Sequence, residues 1–102
     1  MKITTIQAII EKINDFDEDD ESLILFAKKV NGEFRTNSEF VLVQLAEDDM
    51  YMKTTDIAEK ECPGFEYFLE LHLVKEMLDD APKDYDLNKI IDIIVHYAEF
   101  DC

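Results

Sequence analysis

Glycine and proline are scarce. Two of each stand among 102 residues, which argues against a loop-rich or fibrous design. With only Gly32 and Gly64 available, no Gly-rich phosphate loop can be built. Cysteine is equally rare. Cys62 and Cys102 form neither a metal-type spacing nor a disulfide framework, so a reduced, cytoplasmic setting is expected. A terminal Cys102 also misses the fourth-from-last position that prenylation requires. No apolar run approaches the roughly 20 residues needed to span a bilayer. Met1, Lys2 and Ile3 lead straight into an amphipathic pattern carrying Glu11 and Lys12, so no secretory signal is expected.

Positive charge is the remaining shortage. Ten Lys and Arg face 25 Asp and Glu, for a net charge of −15. A small domain is usually comfortable at a magnitude of about 2–8, and an excess of one sign repels itself. Direct binding to nucleic acid or to an anionic membrane is disfavoured, because phosphate contacts need Lys and Arg. A basic protein partner or a cation is favoured instead. Simple solubility is the competing explanation, since acidic side chains are good solubilisers.

What remains is an ordinary globular composition. An apolar fraction of 47% and a length of 102 residues fit one domain over 1–102 with one modest core. Such a chain hides roughly two-thirds of the surface it exposes when unfolded.

Residues 5–15 read as a helix, because Ile6, Ile9, Ile10 and Ile13 recur at the spacing of one helical stripe. Thr4 is the candidate N-cap, with Gln7 completing a capping box. Residues 15–22 (DFDEDDES) read as an acidic loop, since adjacent like charges repel. Residues 23–30 (LILFAKKV) suit a buried strand, and Asn31-Gly32 is a strong turn signal. Residues 33–39 are polar. Residues 40–45 (FVLVQL) read as a second strand, with a helix capped by Ser38 as the alternative.

A short helix over 56–61 ends at Pro63-Gly64. Residues 65–79 then read as a helix whose stripe is Tyr67, Leu71, Val74 and Leu78. Its other apolar residues would face a neighbour or a partner. After a turn broken at Pro82, Asp86 is the expected N-cap of a final helix over 87–100. The expected fold is therefore α+β: an N-terminal helix, a short antiparallel hairpin or small sheet, and two C-terminal helices. An all-α bundle is the alternative.

Tests for chemistry mostly fail. An EF-hand register starting at Asp15 places Asp17 and Asp19 correctly, but its sixth position is Asp20 rather than Gly and its twelfth is Phe26 rather than Glu. His72 has Glu76 one turn on, and His96 has Asp92 and Glu99 nearby, yet zinc wants three or four convergent ligands. No HExxH, Glu-x-x-His or G-x-S-x-G motif occurs. Cys62 beside Glu61 sits in an anionic setting that lowers thiol reactivity. No cofactor, metal site or catalytic residue is expected.

Binding features are better supported. Met50, Tyr51 and Met52 interrupt an acidic run after Asp48 and Asp49, and Met and aromatic side chains are adaptable interface anchors. Phe65, Tyr67 and Phe68 are read as core. The candidate partner-binding set is Asp15, Asp17, Glu18, Asp19, Asp20, Asp48, Asp49, Met50 and Tyr51. The leading expectation is an acidic cytoplasmic binding protein that occludes a basic protein partner, most concretely an immunity-type inhibitor of a basic toxin. Three others stand beside it: a regulatory or DNA-mimic protein, a small enzyme or metal protein, and a non-catalytic subunit pairing as a homodimer through an apolar helix face.

Overall fold

The computed structural model describes residues 2–15, 22–45 and 51–100. The chain forms helix α1 (Ile6–Glu11), strands β1 (Leu23–Ala27) and β2 (Phe40–Gln44), helix α2 (Thr54–Glu61), strand β3 (Glu66–Glu70), and helices α3 (Leu71–Asp80) and α4 (Leu87–Phe100). A 3-10 turn over Ile13–Asp15 follows α1. The three strands make one antiparallel sheet in the order β2-β1-β3. The radius of gyration, 13.2 Å, matches the roughly 13 Å of one compact 100-residue domain. This is an α+β fold.

β1 runs through the centre and is buried at every position. Its alternation divides the interior in two. Leu23, Leu25 and Ala27 face the larger core, with Phe40 from β2 and Phe68 from β3. α1, α3 and α4 cover that face through Ile6, Ile9, Val74, Ile91 and Ile94 among others. Ile24 and Phe26 face a smaller core with Val41, Val43, Ile57, Ala58, Cys62 and Phe65, covered by α2.

The β1–β2 ladder settles residues 40–44 as a strand: Leu23 pairs with Gln44 and Ala27 with Phe40. Strand wins because both faces of this run are covered, Val41 and Val43 on one side and Phe40 on the other. Ser38 starts no helix, since its Oγ accepts from the Arg35 N–H at 2.8 Å. The Asn31-Gly32 turn forms. Asn31 has φ 55 and Gly32 φ 83, and Val30 bridges Glu33 across them. The regular pairing of β1 with β2 would instead set Val30 opposite residue 37. Residues 34–38 therefore make an excursion, which drops Phe34 edge-on against Phe68 at 5.1 Å between ring centres.

Four expectations need correction. The N-cap of α1 is Thr5, whose Oγ1 accepts from the Ala8 N–H at 3.1 Å. Thr4 is held at the sheet edge instead, exchanging hydrogen bonds of 2.8 and 2.9 Å with Phe40. Gln7 reaches forward to Glu11, at 3.3 Å, and not back to a cap. The α-helix stops at Glu11, although all four isoleucines of its stripe are buried as expected. The short helix begins at Thr54, two residues early, with Asp56 in its first turn.

The largest correction lies at 65–79. Residues 66–70 are a strand, and helix begins only at Leu71. Leu25 pairs with Leu69 and Phe26 with Tyr67, which leaves Phe68 as an extra residue between them. This bulge turns Phe68 and Leu69 both into the larger core and breaks the two-residue alternation of a strand. Tyr67 points the other way, packing edge-on against Phe26 with ring centres 6.5 Å apart. Within α3, Leu71 and Val74 are buried and Leu78 packs beside them, so the helical stripe holds from Leu71 onward.

α4 follows its sequence pattern closely. The Asp86 carboxylate caps it, accepting from the Lys89 N–H at 2.8 Å. Ile91, Ile94 and Val95 are buried, whereas Ile93 and Phe100 stay exposed.

Candidate functional site

The acidic runs flank the β1–β2 pair in the sequence. The Leu45 N–H donates to the Ser22 carbonyl at 2.8 Å, so the chain enters β1 and leaves β2 at one end of the sheet. Asp15, Asp17, Glu18, Asp19, Asp20 and Glu21 precede that point, and Glu47, Asp48 and Asp49 follow it. Nine of the 25 acids thus stand, in sequence, before β1 or after β2.

Of the candidate binding residues, Asp15 and Tyr51 are described. Asp15 is exposed at the end of the 3-10 turn. Tyr51 is 93% exposed, so its ring belongs to neither core, while the adjacent Met52 packs against the smaller core. Asp17, Glu18, Asp19, Asp20, Asp48, Asp49 and Met50 lie outside the described residues. Phe65 and Phe68 are buried, as a core role requires.

The histidines keep company other than the one their spacing indicated. His72 Nε2 lies 3.4 Å from Glu70, across the strand–helix junction, and not with Glu76. Its Nδ1 is buried without a hydrogen-bond partner. His96 packs against Phe100, with ring centres 4.7 Å apart. Glu99 turns away from it to accept from the Phe34 N–H at 2.9 Å. Among the described residues, no group of three or more His, Cys, Asp and Glu side chains is placed to hold a metal ion.

Cys62 is fully buried in the smaller core. Burial pushes its thiol above the ordinary range, and the Glu61 carboxylate adds to the effect. Such a thiol is a packing group, because the nucleophile is the thiolate. Among the described residues, no helix is long and apolar enough to cross a membrane.

Among the described residues, a cleft of about 600 Å³ is one that sequence reasoning missed. Lys29, Phe34, Glu59, Glu66, Tyr67 and Glu99 line it, brought from the hairpin arm, α2, β3 and α4. No short-range pattern could flag residues this far apart in the chain. No protein-family model, no curated protein and no solved structure matches the chain.

Proposed function

We propose that this is an acidic binding protein that occludes a basic protein partner, in the manner of an immunity-type inhibitor. One observation carries the reading: a net charge of −15, with nine acids in the segments that flank the β1–β2 pair in sequence. The adjacent Tyr51, 93% exposed, supplies an aromatic anchor of the kind that dominates binding energy at interfaces. Carboxylates at the rim accelerate encounter with a positive surface, and desolvation of the ring slows departure. The site is proposed to act in the cytoplasm and to need no cofactor.

The test is capture from a lysate of the source organism, washed at low and then at high salt. The expected result is one basic protein held at low salt and released at high salt, because screening shortens the reach of surface charge from about 30 Å at 0.01 M to about 3 Å at 1 M ionic strength. Retention of a neutral or acidic protein with no salt dependence would oppose the reading.

A further inference from the structure

We infer that the cleft between α2, β3 and the end of α4 receives an arginine side chain presented by a protein partner. Three carboxylates border it, each from a different element: Glu59 from α2, Glu66 from β3 and Glu99 from α4. Aromatic surface is supplied by Phe34 and Tyr67. Carboxylates around an aromatic wall select a cation with a flat face, which can stack on a ring and donate hydrogen bonds at its edge.

The chain already puts a cation there. The Lys29 ammonium lies 5.1 Å from the centre of the Phe34 ring and 4.0 Å from the Glu66 carboxylate. Both groups are therefore disposed to hold positive charge. The ion pair sits at the outer limit of contact, with the Lys29 side chain 33% exposed, so a lysine can yield its place at little cost. Phe34 itself is fixed. It is buried in the larger core, meets the edge-on ring of Phe68 at 5.1 Å, and donates its N–H to Glu99 at 2.9 Å. A guanidinium fits this wall better than an ammonium, being planar and more weakly hydrated. Lys29 then acts as an internal competitor for the incoming cation.

The inference takes only the source of the arginine from the proposed function. Its test needs no partner. N-acetyl-arginine methylamide, whose single charge is the guanidinium, is titrated into the ¹⁵N-labelled protein, with the citrulline analogue as a neutral isostere. Saturable shifts are expected at the amides of Lys29, Phe34, Thr54, Thr55, Glu66 and Glu99 with the arginine probe, and none with citrulline. Lys29→Gln is expected to tighten binding about two- to five-fold, and Glu66→Gln to weaken it by a similar factor.

Lys28→Gln and Glu76→Gln make the same charge changes as Lys29→Gln and Glu66→Gln respectively without touching the cleft, so each leaves the affinity near its starting value. Shifts confined to other surfaces, equal response to citrulline, or equal effects of Lys28→Gln and Lys29→Gln would overturn the inference. Such a failure would leave the lysate capture unaffected, so the two readings fall separately.

Discussion

On one face of the sheet, Leu25, Ala27, Phe40 and Phe68 lie beneath three helices, whereas on the other, among the described residues, Ile24, Phe26, Val41 and Val43 lie beneath one helix, α2. Both faces exclude water from β1, which is buried throughout. They differ in how much structure must open to expose them. The larger core draws on both ends of the chain, from Ile6 to Val95, so exposing it means unfolding the domain. The smaller core is closed by eight helical residues plus Cys62 and Phe65. Local openings follow the elements with least apolar cover. The α2 face is therefore expected to open first, and it borders the cleft that bears Lys29 and Glu66.

Matched truncations test this asymmetry most strongly. Ile94 and Ile57 are both almost fully buried, one in each core. Truncating a buried isoleucine to alanine costs about 2–5 kcal/mol, depending on how far the surroundings collapse. Ile94→Ala should fall near the top of that range and Ile57→Ala near the bottom, measured by urea denaturation. An equal or larger loss at Ile57 would break the comparison.

Cys62 sharpens the same contrast through pH. Its folded thiol is raised, by burial first and Glu61 second, so the folded state holds this proton more tightly than the unfolded chain does. The contribution is complete below the unfolded thiol's range near ~8.5, and it is lost as pH rises toward the folded value. Over that window stability should fall by up to about 1.4 kcal/mol per pH unit for one proton. Urea melts from neutral to alkaline pH should show this slope in a Cys102→Ser background. They should show it reduced in the Cys62→Ala, Cys102→Ser protein. Identical slopes in the two would remove the thiol from the account.

Smaller effects are expected where backbone geometry alone is at stake. Gly32 holds φ 83 in the hairpin turn, and a Cβ there meets no neighbour, so Gly32→Ala reads backbone strain without a clash. The cost should be about 1–2 kcal/mol. Asp86→Ala removes the α4 cap and should cost about 1 kcal/mol in the same assay.

The parts of this fold that follow local rules were readable in the sequence. Leu23 to Ala27 and Phe40 to Gln44 are short apolar runs of strand length. Asn31-Gly32 is a turn that both φ angles require, and Asp86 is a cap before a two-faced helix. β3 was not readable, because its bulge places Phe68 and Leu69 on one side and imitates the crowding of a buried helix. Phe34 was hidden in a polar stretch, since its burial comes from Phe68, thirty-four positions along the chain. The acidity behind the proposed function was legible from composition. The cleft was not, because tertiary folding alone brings Lys29, Glu59, Glu66 and Glu99 together.

The most direct test of the central claim is the association rate with the captured basic partner, followed by stopped flow across a range of salt. The native protein is compared with a variant carrying Asp17→Asn, Glu18→Gln, Asp19→Asn and Asp20→Asn. Electrostatic steering raises on-rates by about 10- to 1,000-fold. The variant should associate about tenfold or more slowly at low salt, with a flattened salt dependence. Unchanged rates and an unchanged salt slope would contradict that claim.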